Sequence, residues 1–183
     1  MFDTFKARAE AVSAEVHRFA TTSDGMAFIM KTLRDEGVAD APGATAVWAE
    51  SPMLAGMDKD ALAAQAPGLT FEVTRERAKD ARIGISQMHW GLANTGSVVQ
   101  NSTDPRQRLV SSLTSIHIAV TPTGTILPDL PALLSTVHPD DCAYLAVISG
   151  PSRTADIERV LTIGVHGPER LIVVCIDELG GQN

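Results

Sequence analysis

A chain of 183 residues with 44% hydrophobic and 20% charged side chains has the composition of a soluble globular protein, long enough for one domain with a substantial core. Its formal net charge of −7, with basic residues scattered rather than clustered, excludes a general nucleic-acid or anionic-membrane partner. Cys142 and Cys175 are the two cysteines, too few for an iron–sulfur cluster, which generally takes four thiolates.

The N-terminus, Met1-Phe2-Asp3-Thr4-Phe5-Lys6, lacks the apolar run of a signal peptide, and no stretch approaches the ~20 apolar residues of a membrane span. The cytoplasm is therefore the expected compartment. Phe2, Phe5, Ala9, Val12, Val16 and Phe19 recur at spacings of three and four, which predicts one apolar seam on a first helix. Thr22-Ser23-Asp24 caps a second helix carrying Met26, Ile29, Met30 and Leu33, and Gly37 is placed to end it. Residues 1–40 thus read as an N-terminal helical extension and residues 41–183 as the domain proper.

Thr45 to Ala49 is a short apolar strand, Asp58 to Ala66 a helix stopped by Pro67-Gly68, and Leu69 to Val73 strand-like. A short helix over Glu76 to Ala81 precedes a strand that begins at Ile83-Gly84-Ile85. Gly91 to Val99 has two strand-like halves around Asn94-Thr95-Gly96, the pattern of a hairpin or of a strand with a sharp kink. Asp104-Pro105 opens a helix through Leu113, with Asp as cap and Pro at the first helical position. Ser115 to Val120 alternates as a strand does, which makes His117 a core histidine, and Asp129 to Val137 has helical spacing. Strands alternating with helices predict an α/β fold whose largely parallel sheet is flanked by helices.

The stretch most able to carry chemistry follows the apolar run Ala143 to Ile148. Ser149, Gly150 and Ser152 form a turn that lets the backbone approach a ligand, and Ser152 or Thr154 can cap a helix through Ile157, Val160 and Leu161. The free N–H groups of that helix would make an anion pocket beyond the carboxyl end of a strand. Arg153, with its planar fork, is the natural partner for a carboxylate or phosphate there. An ordinary hydroxyl-capped turn fits the same spacing. Asp156 and Glu158 would sit in the first helical turn, where acids also stabilise the dipole without any catalytic role. His166, between Gly164 and Gly167-Pro168, is exposed enough to serve as acid or base, so His166 and Asp156 are the candidate catalytic residues. His89 could line a site, but nothing in the spacing puts it there. No Ser/His/Asp order, phosphate-binding loop, dinucleotide fingerprint or zinc motif is present, so no metal site is expected.

The string Ile148-Ser149-Gly150-Pro151-Ser152-Arg153-Thr154-Ala155-Asp156-Ile157-Glu158 and its sequel Gly164-Val165-His166-Gly167-Pro168 resemble the LUD domain family of lactate utilization protein C. Ala93-Asn94-Thr95-Gly96-Ser97 and Ile116-His117-Ile118-Ala119-Val120 match in order and spacing before them. The resemblance implies a fold similar to the NagB/RpiA/CoA-transferase group and membership of a system that oxidises L-lactate to pyruvate. It also implies that iron–sulfur clusters belong to partner subunits and that this chain binds no cofactor of its own. One departure stands out: the family turn usually reads Ala-Glu-Thr-Gly, whereas here Asn94 occupies the acidic position. Asn94 can hydrogen-bond a ligand but cannot form an acyl intermediate or take a proton at neutral pH.

The expected ligand-binding set is therefore Asn94, Thr95, Gly96, Ser149, Gly150, Ser152, Arg153, Thr154, His166 and Gly167. The first expectation is an accessory subunit of a lactate-oxidising complex that binds a small carboxylate or a phosphate-bearing ligand beside iron–sulfur partners. A free-standing enzyme of the CoA-transferase or sugar-phosphate isomerase kind is the second, and a scaffold acting through its first helix, including a homo-oligomer, is the third. Whether the chain is an enzyme is left open at this point.

Overall fold

The computed structural model describes residues 1–155, 161–163 and 167–179. Its first half runs α1 (Phe2–Ala11), β1 (Glu15–Phe19), α2 (Thr22–Asp35), β2 (Thr45–Trp48), α3 (Lys59–Gln65), β3 (Leu69–Thr70), α4 (Arg75–Asp80) and β4 (Ala81–Gln87). The remainder runs β5 (Trp90–Leu92), β6 (Ser97–Asn101), α5 (Pro105–Leu113), β7 (Ile116–Pro122), β8 (Ile126–Leu127), α6 (Leu130–Leu134), β9 (Leu145–Ile148), β10 (Arg153–Ala155), β11 (Leu161–Ile163) and β12 (Arg170–Ile176). No helix among the described residues is long and apolar enough to cross a membrane.

Six strands form one sheet in the order β1-β12-β7-β4-β2-β3, and every neighbouring pair is parallel. A parallel sheet must be covered on both faces, and the residues of β7 are accordingly buried throughout. Ile83, Ile85, Ile116, Ile118, Ile172 and Val174 belong to the core under α2 and α3, which contribute Ile29, Leu33 and Leu62. On the other face Ala119, Leu171, Val173 and Cys175 lie under Phe5 and Ala9 of α1 and Val98 of a second sheet. Fully burying a side chain such as Phe5 contributes about 2 kcal/mol, so that residue is a main anchor of α1. Val47 and Ala81 on the same face pack against Ala78 of α4 and Val110 of α5.

The second sheet has the order β8-β5-β6-β9. Its hairpin, β5 with β6, turns at Asn94-Thr95-Gly96, the first of the two readings that the sequence allows. The α/β architecture, with a parallel sheet flanked by helices, is the expected one.

Three expectations are corrected. The first helix ends at Ala11, and Val16 and Phe19 lie in β1, which pairs in parallel with β12. Spacings of three and four suit a helix, but Ser13 at φ +70° breaks the run, and β12 offers the following residues a full ladder of backbone partners. Residues 1–40 are therefore not helical throughout. Second, Arg153 opens a strand that pairs antiparallel with β11, so Ser152 and Thr154 lie before and within a strand instead of capping a helix. Leu161, expected on that helix, lies in β11. Thr154, Thr162 and Ile163 are β-branched and favour the extended chain; Ile157 and Val160 lie outside the described residues. Third, the turn after β9 does not lie beyond the carboxyl ends of the main sheet, because β9 belongs to the second sheet.

Candidate functional site

The antiparallel register of β6 and β9 sets Val98 opposite Ile148, which carries Ser97 and Ser149 to adjoining positions at the end of the ladder. Ser149 Oγ lies 2.6 Å from Ser97 Oγ, and Ser97 Oγ donates to Thr95 Oγ1 at 2.7 Å. A chain of hydroxyls thereby joins the Asn94-Thr95-Gly96 hairpin to the Ser149 turn.

Both turns rest on α1. Gly96 has φ +65°, and a Cβ there would sit 2.1 Å from the Ala9 nitrogen. Gly150 has φ +74°, and its Cβ would fall 2.3 Å from the Val12 carbonyl oxygen. Only glycine gives both the left-handed backbone and the close approach. Ser152 N–H then donates to the Pro168 carbonyl at 2.8 Å, which draws Gly167 alongside.

The result is a cavity of about 270 Å³ lined by Ser149, Gly150, Ser152 and Gly167, with Ser111 and Ser112 of α5 across from them and His117 and Leu171 as floor. His117 and Leu171 are the second residues of β7 and β12, so the cavity opens at the amino ends of the parallel strands.

His117 is the residue that alternation along β7 assigned to the core, and it is fully buried as expected. Its Nε2 lies 2.8 Å from Ser86 Oγ on β4, while Nδ1 has no hydrogen-bond partner among the described residues. Burial lowers its pKa from the ordinary 6.5 to about 4, so the ring is neutral at physiological pH. Strand periodicity locates the buried face but not a gap in the layer above it, and for this reason sequence reasoning missed His117, Ser111 and Ser112.

Of the predicted set, four residues share this cavity: Ser149, Gly150, Ser152 and Gly167. Asn94, Thr95 and Gly96 do not line it, and Thr95 reaches it only through the hydroxyl chain. Asn94 is exposed, its N–H donating to the Pro128 carbonyl at 3.0 Å. Arg153 is exposed as well and donates from Nη2 to Ser13 Oγ at 2.7 Å, bracing the end of α1. Thr154 lies in β10. The candidate catalytic residues, His166 and Asp156, lie outside the described residues. Chemically, the cavity offers hydroxyls and one neutral imidazole, with no charged side chain among the described residues of its lining. It can hold a small polar ligand by hydrogen bonds. Among the described residues no group of three or more metal-ligating side chains occurs.

Comparison with known proteins gives a consistent result. Lactate utilization protein C of Halalkalibacterium halodurans is 35% identical over 109 residues, 56% of this chain and 47% of that protein. The protein of the same name from Exiguobacterium is 36% identical over 114 residues, 59% of this chain and 50% of that protein. The uncharacterized protein YkgG of Escherichia coli is 33% identical over 108 residues. The matched part spans about half the length of these curated relatives. A crystal structure of a DUF162 family protein from Deinococcus radiodurans shares the fold with a TM-score of 0.61 at 18% identity, over 96% of this chain and 95% of that one. The LUD domain family model matches residues 2–176, nearly the whole length, and the chain belongs to the LUD domain family.

Proposed function

We propose that this chain is a component of a lactate-utilization system and holds a small carboxylate, of the size of a hydroxy acid, in the cavity beneath the Ser149–Ser152 turn. The observation that carries the reading is that Ser149, Gly150, Ser152 and Gly167, all from the family strings, line one cavity together with His117. If Ser86 donates its hydroxyl proton to Nε2, the neutral ring carries its own proton on Nδ1, the ring atom without a hydrogen-bond partner among the described residues. Serine side chains keep the lining polar without bringing a full charge into a partly apolar cavity, where Ile148 and Leu171 form part of the wall. The names of the relatives support the lactate connection.

Iron–sulfur clusters, where such a system uses them, belong in this reading to partner subunits. Its support is the cysteine content: two in the sequence, with Cys175 buried and its thiol pushed up to about 12 by that burial. The role is that of a binding subunit, and no bond-making step is assigned to it. Calorimetric titration with L-lactate tests the reading. Wild-type protein should bind, and Ser149→Ala or His117→Phe should weaken binding at least fivefold. No heat of binding from lactate, pyruvate or phosphate would reject the cavity as the ligand site.

A further inference from the structure

A second cavity, of about 290 Å³, lies at the opposite end of the main sheet, beyond the carboxyl ends of β2 and β4. These neighbouring strands send their chains to opposite faces. The segment after β2 packs through Met53, Leu54 and Leu62 into the core beneath α2. The segment after β4 leaves through Met88 to the face under α1 and the second sheet. Where successive connections diverge in this way, a parallel sheet opens a crevice, and ligands of α/β folds are commonly held there. No residue that lines the proposed lactate site lines this crevice.

The crevice is built rather than incidental. Gln100, fully buried on β6, donates from Nε2 to the Gln87 carbonyl at 3.0 Å and to Gln107 Oε1 at 2.9 Å. Gln107 in turn donates to the Glu50 carbonyl at 2.9 Å. These amides lock the β2 exit, the end of β4 and the start of α5 into one rigid wall. Ser51, 8% exposed, belongs to the lining, and its Oγ is buried with no hydrogen-bond partner among the described residues. Gln87 accepts from Met53 N–H on its amide oxygen at 2.9 Å, which leaves its NH2 group to donate. His89 Nδ1 accepts the Asn101 N–H at 3.3 Å, so the neutral ring carries its proton on Nε2.

Charge narrows the occupant. Among the described residues no lysine or arginine lines the cavity, so an anion meets the carboxylates of Glu50 and Asp104 there. Both carboxylates are already paired, Glu50 with Lys59 and Asp104 with Arg106, so a cation finds no unpaired carboxylate either. What remains is a set of donors and acceptors close together: the Ser51 hydroxyl, the Gln87 amide, the His89 N–H and the outer carboxylate oxygens. A molecule with several hydroxyls, each able to donate and accept at once, matches that set.

We propose that this crevice is a second ligand site, taking a neutral polyol the size of a pentose, either a free sugar or the ribose of a nucleoside. The test is a titration of the full chain with D-ribose, adenosine, inorganic phosphate and L-lactate, followed by protein amide NMR and ligand saturation transfer. Ribose or adenosine should shift the amides of Ser51, Gln87 and His89. A response to both probes marks recognition of the pentose itself, and a response to adenosine alone marks a nucleoside. Ser51→Ala should weaken the binding at least fivefold without altering the fold, since its Oγ holds nothing in the free chain. Glu50→Gln should weaken it too, while Ser149→Ala in the other cavity should leave it unchanged. The proposal is overturned if neither probe shifts these amides, if Ser51→Ala binds as well as wild type, or if phosphate or lactate is what perturbs this crevice.

Discussion

His117 Nε2 and Ser86 Oγ lie 2.8 Å apart on adjacent strands of the parallel sheet, both side chains fully buried. The pair fixes the imidazole ring at the base of the cavity, and the ring stays neutral because burial opposes its charged form.

That neutrality has a pH signature. His117 has a folded pKa of about 4 against the ordinary 6.5, so the unfolded chain binds a proton first as the solution is acidified. The stability contribution is present above pH 6.5 and is lost as pH falls from there toward 4, to the extent of roughly 3 kcal/mol. Urea unfolding of wild type and His117→Gln between pH 8 and pH 4.5 measures it. The variant should show the shallower pH dependence, and identical slopes would reject the assignment.

Gly96 and Gly150 set the two turns on α1, and both have positive φ with backbone atoms within 2.5 Å of a would-be Cβ. Gly96→Ala and Gly150→Ala should each destabilise the fold by about 2 kcal/mol or more, because strain and clash add. Denaturant midpoints report the effect. A change below about 0.5 kcal/mol would mean that α1 does not rest on these turns as described.

Arg153 gives the sharpest contrast with its sequence-based role. It is exposed and hydrogen-bonded to Ser13, outside the cavity lining. Arg153→Ala should therefore leave lactate affinity within about twofold, whereas Ser149→Ala should weaken it several-fold, on the scale of one lost hydrogen bond. Loss of binding in Arg153→Ala at unchanged affinity in Ser149→Ala would reverse the assignment of the site.

Glu36, 17% exposed at its side chain, accepts from Arg170 and Arg82 at the amino edge of the sheet, and Arg170 also holds Glu15 of β1. Hydrogen bonds from Arg170, then from Arg82, hold the Glu36 carboxyl below its usual range. The stabilisation is present above the unfolded carboxylate value and fades as pH drops through the lower folded one. Glu36→Gln should cost about 1 kcal/mol near neutral pH, given partial solvent screening of both arginines, and less in 1 M salt. Thermal unfolding at low and high ionic strength would show it, and a salt-independent loss would point to packing instead.

Local rules were legible where the decisive contacts are local. Asp104 caps α5 by accepting from Arg106 N–H, as Asp-Pro predicts, and the Asn94-Thr95-Gly96 turn closes its hairpin. The same reasoning failed at Val16 and Phe19, whose strand partner is supplied by β12 from the other end of the chain. It failed again after Ser152, where Arg153 opens a hairpin strand instead of preceding a helix.

The sequence by itself determined the α/β class, most helix starts and the family strings, because capping, periodicity and turn chemistry depend on near neighbours in the chain. Only the tertiary structure decided that β9 joins the second sheet, and that Ser149, Ser152 and Gly167 meet His117 at the amino ends of β7 and β12. Alternation marks His117 as inward-facing, but whether an inward-facing atom meets packing or a cavity depends on elements distant in sequence, here α5 and the turn after β9.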